Sequence, residues 1–179
     1  MEILLVSGDY STQEVGTALK TDQLLCLWSD DDHNDRKLKV SVAYNPYVPT
    51  LQGQIEENDK LLRKLSSGRV SKIYLRFGSN IRQLEKSIQW LERNCEPDID
   101  VCGSIFLPMR QVLNRLKAKP LSGVYLDEKF LSNCTHAKDL ILETMRLLNH
   151  KGYEMVIQHP GVTNFTLGKY AFDELLSEL

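Results

Sequence analysis

Side chains able to do chemistry gather where the apolar runs of this chain end. Ile3-Leu4-Leu5-Val6 leads into Ser7-Gly8-Asp9, followed by Tyr10. Val40-Ser41-Val42-Ala43 leads into Tyr44 and Asn45, with Tyr47 between Pro46 and Pro49. Arg76, Phe77 and Gly78 follow Tyr74-Leu75. Phe106, Leu107 and Pro108 close another run, with Arg110 just beyond, and Gln158, His159 and Asn164 follow the last. Aromatic and hydrogen-bonding groups dominate this set, which suits a flat polar ligand held by stacking and polar contacts. No Ser or Cys pairs with a His, so a hydrolytic triad is not expected. His33, His136, His150 and His159 are scattered, and no metal site is expected. The glycine fingerprint of dinucleotide-binding folds and the phosphate-loop pattern are both absent.

The plain structural readings of these residues stand beside the chemical ones. Asp9 after Gly8 is also a turn cap, and Tyr44 and Tyr47 are also rim packing residues. Lys60, Arg63 and Lys64 also read as a solvated helix face. Arg76 at a strand end needs either a ligand or a structural partner.

Elements that position these residues alternate along the chain. Strands are predicted at Ile3–Val6, Leu38–Ala43, Lys72–Phe77, Val101–Phe106 and Glu154–Gln158, apolar enough to be buried on both faces. Helices fill the gaps. Thr21 or Asp22 caps one through Trp28, and another covers Ile55 to Leu65. Ser79 caps a third, along which Ile81, Leu84, Ile88 and Leu91 recur at helical spacing. Pro108 suits the first turn of a fourth. Thr135 caps a fifth that Gly152 ends, and a last one spans about Leu167 to Leu176. Strand–helix alternation with right-handed crossovers gives a parallel sheet. Five strands make an open sheet or part of a barrel. Asp30-Asp31-Asp32-His33-Asn34-Asp35 lacks the Gly and terminal Glu of a calcium loop and reads as a solvated turn.

The 179 residues suit a single domain spanning 1–179 with a real core. A net charge of −2 gives no long-range pull toward nucleic acid or anionic membrane. Neither a membrane span nor a signal peptide is read. Four cysteines without C-x-x-C spacing suit free thiols and a cytoplasmic location.

These ordered landmarks carry a family likeness. Leu5-Val6-Ser7-Gly8-Asp9, Val40-Ser41-Val42-Ala43-Tyr44-Asn45-Pro46, the helix Glu57 to Gly68, Tyr74-Leu75-Arg76-Phe77 and Gly103-Ser104-Ile105-Phe106-Leu107-Pro108 follow one another in order and spacing. In this the chain resembles the flavin-dependent methylenetetrahydrofolate reductases, especially their short, divergent members. Gly123-Val124-Tyr125-Leu126 and the segment from Gln158 to Asn164 agree less specifically.

The resemblance implies a partial (β/α)8 barrel of about five parallel strands. It implies an oxidoreductase of one-carbon metabolism, in which FAD passes a hydride from a nicotinamide donor to methylenetetrahydrofolate. By the same resemblance Asp9 is the catalytic carboxylate beside the flavin, and Tyr44 is an aromatic contact to it. Glu57, Arg63 and Lys64 hold the FAD ribose and phosphates, and Arg76 contacts the folate. Two substitutions depart from the family: Arg76 stands near a usual Gln, and Lys60 at a usual Asn. The family's general acid, a Glu on an earlier strand, has no counterpart, because the chain opens at the Gly-Asp strand. The expectation is therefore a barrel lacking its N-terminal strands, completed by self-association or by a separately encoded partner. The alternative is a catalytically silent barrel fragment that binds folate, flavin or another protein.

Overall fold

The structure, a computed structural model, describes residues 2–5, 21–29, 39–158 and 165–179. The strands are β1 (Glu2–Leu5), β2 (Lys39–Tyr44), β3 (Val70–Leu75), β4 (Asp100–Phe106) and β5 (Glu154–Gln158). The helices are α1 (Thr21–Ser29), α2 (Leu51–Leu65), α3 (Ile81–Asn94), α4 (Arg110–Ala118), α5 (Glu128–Ser132), α6 (Cys134–His150) and α7 (Phe165–Leu176).

All strands pair in parallel, and their spatial order is their order in the chain, β1 to β5. Strand order never reverses, so right-handed crossovers place the helices on one face and the sheet curls as in a (β/α)8 barrel. The result is a half-barrel, as expected from the sequence.

Register separates the two faces. Tyr44 pairs with Leu75 and Leu75 with Gly103, and these point toward the helices. Tyr44 stacks on Trp90 of α3, and Gly103 lies against Leu148 of α6. The alternate residues, Ser41, Ala43, Tyr74, Cys102 and Ser104, belong to the concave face. There Lys72 Nζ lies 2.8 Å from Glu154 and 3.9 Å from Glu2, so side chains from both edge strands converge on the middle one. The main core lies between sheet and helices, with Val42, Ile73, Ile105, Ile88 and Ile141 all buried.

Local chemistry sets the element ends and moves several predicted ones. The helix predicted from Ile55 begins a turn earlier, because Thr50 Oγ1 accepts from the Gly53 N–H at 3.1 Å. Asn80, not Ser79, caps α3 through the Gln83 N–H, while the Ser79 hydroxyl accepts from the Asp127 N–H at 2.8 Å. Pro108 stands outside α4, whose first residue is Arg110. Asn133, not Thr135, caps α6 and also ends α5, a short helix that the apolar spacing did not predict. Strand β3 begins at Val70 and stops at Leu75, so Arg76 and Phe77 lie just past its end. Gly152 follows α6 with φ +69°, the left-handed residue expected there.

Candidate functional site

In parallel α/β folds, side chains just past the carboxyl ends of the strands face a common space. Here that space is a cavity of about 260 Å³. Leu4, Ala43, Tyr74, Ser104, Phe106 and Gln158 form its wall from the concave sides of all five strands. Gln158 Nε2 donates to Ser104 Oγ at 3.4 Å, linking β4 to β5 across the wall. Leu121, Ser122 and Val124 cover it from the α4–α5 connection. A volume of this size suits one ring system rather than a dinucleotide.

Arg76 holds that cover in place. Its Nη1 donates to the Ser122 carbonyl at 3.1 Å, and Asn45 Nδ2 donates to the Gly123 carbonyl at 2.8 Å. The cover is also stitched to the chain after β3, where Ser79 N–H donates to the Tyr125 carbonyl at 3.0 Å. Gly123 has φ +69°, and a Cβ there would lie 3.1 Å from Arg76 Cζ and overlap its Nη1. Gly123→Ala is therefore expected to cost about 1–2 kcal/mol of backbone strain, on top of displacing the guanidinium. Urea denaturation checks this. In an Arg76→Ala background only the backbone part should remain.

The candidate residues on β2 and α2 form a second group. Tyr44 is buried on the helix side, where its hydroxyl donates to Asn58 Oδ1 at 2.7 Å and accepts from Gln54 Nε2 at 2.9 Å. Burial, more than the nearby Glu57 charge, pushes its pKa up to about 12, so the phenol stays neutral. Glu57 accepts from the Asn45 N–H at 3.1 Å and lies 3.7 Å from Lys60. Lys64 Nζ donates to the Ala43 carbonyl at 3.1 Å. Burial pulls the Lys64 pKa down, against the opposing pull of Glu57 and Asp22, with Arg76 near enough to add its own repulsion. Arg63 instead points to α1, its Nε 3.3 Å from Asp22 Oδ2.

The structure thus brings Tyr44, Glu57, Lys64 and Arg76 together around the end of β2 and sends Arg63 elsewhere. Asp9, Tyr10, His159, Asn164 and the acidic run Asp30–Asp35 lie outside the described residues. No protein-family model matches the chain, and neither does any curated protein. Among the described residues no group of His, Cys, Asp and Glu could hold a metal ion, and no helix is long and apolar enough to cross a membrane.

Tyr74 and Ser104 were missed as cavity residues. Each precedes a residue that drew notice, Arg76 or Phe106, by two positions. The two-residue period of a strand would have found both.

Proposed function

We propose that this half-barrel belongs to a flavoprotein resembling the methylenetetrahydrofolate reductases. In this reading it binds a flavin- or pterin-class ring at the carboxyl ends of its strands and turns over only with a partner. The observation that carries the reading is the cavity among Tyr74, Arg76, Ser104 and Gln158, whose size suits one ring and whose lining suits a polar ring edge.

The fit favours the ring over the dinucleotide tail. Lys64 and Glu57 stand together at the end of β2 and could meet a ribose or phosphate, whereas Arg63 is paired with Asp22. Bound there, a flavin would supply hydride transfer. The chain itself would orient the ring through the Ser104–Gln158 pair and balance substrate charge through Arg76. A general acid and the strands completing the barrel would come from a second copy or a separately encoded chain. Among the described residues β1 and β5 are the outer strands of the sheet, and there such a chain would pair.

A silent binding module is favoured by one observation. The Tyr44 hydroxyl is spent on Asn58 and Gln54, Arg63 directs its Nε to Asp22, and neither residue lines the cavity. Titration of purified protein separates the readings. FAD, FMN and a reduced folate are added while visible absorbance and melting temperature are followed. Binding of a flavin, weakened about tenfold by Tyr74→Ala or Gln158→Ala, supports the proposal. Folate binding without flavin favours the silent module. Failure of every ligand to bind or stabilise overturns the flavoprotein reading and leaves only a silent fragment that binds another protein.

A further inference from the structure

A second recess lies on the helix side, away from the concave cavity. It is a groove of about 510 Å³ between α2 and α3, just outside the carboxyl end of β2. Gln54 and Asn58 of α2 form one wall, and Arg82, Lys86 and Trp90 of α3 form the other. None of the residues lining it is an Asp or Glu, although the whole chain carries net charge −2.

Positive potential comes from several sources. Arg82 and Lys86 stand four residues apart on one helix face, both are exposed, and neither has an ion-pair partner among the described residues. Thr50 and Asn80, the caps of α2 and α3, also line the groove. The first turns of two long helices, with their positive dipole ends and the N–H groups that the caps leave unpaired, therefore open onto it.

The rest of the lining is suited to a ring. Trp90 stacks on Tyr44 with centroids 6.1 Å apart and planes 17° apart, which gives the groove a rigid aromatic end. At the rim Leu51 is 80% exposed, a large apolar side chain with little packing of its own. Gln54 Oε1 is buried without a hydrogen-bond partner, while the same amide donates to Tyr44 and Asn58. A buried orphan acceptor costs about 1–3 kcal/mol, so this amide has a hydrogen bond still to gain at the groove wall.

We infer that the groove between α2 and α3 binds a phosphate monoester joined to a planar ring, the chemistry of a mononucleotide. Arg82, Lys86 and the two helix N-termini take the phosphate. The Trp90 end, Leu51 and the Gln54 and Asn58 amides take the ring.

Isothermal titration calorimetry with AMP, adenosine and inorganic phosphate tests this. AMP is expected to bind more tightly than either fragment. The double variant Arg82→Gln/Lys86→Gln is expected to weaken AMP at least about tenfold, since each charged contact to phosphate is strong. Both residues are exposed, so the melting temperature should hold; Lys86→Glu alone should also weaken AMP, and Lys119→Gln should not. AMP no tighter than phosphate would remove the ring from the proposal. Equal AMP affinity in wild type and double variant would overturn it. Arg82 and Lys86 line the groove and not the concave cavity, and Tyr74 and Gln158 the cavity and not the groove, so the two sets of variants tell failure of this site from failure of the flavin site.

Discussion

Phe77→Ala is expected to lower stability by roughly 3–5 kcal/mol, a fall in Tm on the order of 10 °C or more for a chain this long. Phe77 lies just past β3, 1% exposed, where the chain leaves the sheet. Its ring centroid is 4.8 Å from that of Phe106 and 5.6 Å from that of Phe130, with tilts of 40° and 54°. One side chain thus ties the end of β3 to the end of β4 and to α5. Such tilted aromatic contacts add about 0.5–1.5 kcal/mol each beyond area burial. Truncation leaves a hole that the surrounding backbone cannot close, because Gly78 and Tyr125 bridge the next residues to the cover of the cavity. Phe77 also lines that cavity, so the same variant should loosen whatever ring the cavity holds. Guanidinium denaturation at constant m-value measures the loss. Phe77→Leu, which keeps most of the volume, should lose well under half as much. A Phe77→Ala loss below about 1 kcal/mol would mean that the three rings do not pack as a unit.

That cluster marks the boundary of what the sequence made legible. Alternation of apolar runs and amphipathic segments was enough for a parallel sheet with helices, because burial on both faces confines the charged residues of β2 and β4 to their first positions, Lys39 and Asp100. The same continuity hid which face each residue takes. Tyr44 read as a rim or cofactor contact, yet it shares a face with Val40 and Val42 and turns toward α2 and α3. Strand β3, predicted at Lys72–Phe77, lies two residues earlier, because Ser71 and Lys72 separate Val70 from the apolar run and the buried Phe77 extends that run past the strand's end. Lys72 is accommodated inside the curl only because Glu2 and Glu154 reach it from strands far away in sequence. Helix α5 has five residues, too few to show a period, and Asp127 as its cap was the only local signal.

The site was legible in its location and less so in its membership. Strand ends gave Arg76 and Gln158 directly. The role of Arg76 as the brace of the Ser122–Gly123 turn could not be read, since its partner lies 46 residues away and is a backbone carbonyl. Nor could the α2–α3 groove. Arg82, Lys86 and Trp90 read locally as one face of an ordinary helix, and only the approach of Gln54 and Asn58 from another helix makes them a wall.

Gly103→Val is the second large effect, with an expected loss of roughly 3 kcal/mol, close to the upper end for overpacking. Valine is a better strand residue than glycine, so propensity alone would predict a gain. Packing reverses that sign. A Cβ on Gly103 would overlap Leu148 Cδ1 and approach its Cδ2 and Cγ to 3.1 and 3.2 Å. Leu148 is 1% exposed and cannot swing aside. Gly103 itself pairs with Leu75 and Met155 on either side, so the strand cannot shift without breaking both ladders. The clash is relieved only by moving α6, the helix that covers β4 and β5. A double-mutant cycle isolates this contact. Leu148→Ala alone should cost about 2–5 kcal/mol for the cavity it leaves. Adding Gly103→Val to it should cost little or restore stability, because the new side chain fills that cavity. A coupling of 1–3 kcal/mol in this direction is the expected result. A coupling near zero would require that α6 sit farther from β4 than the glycine allows. The glycine would then have no packing reason to interrupt the most buried strand of the sheet.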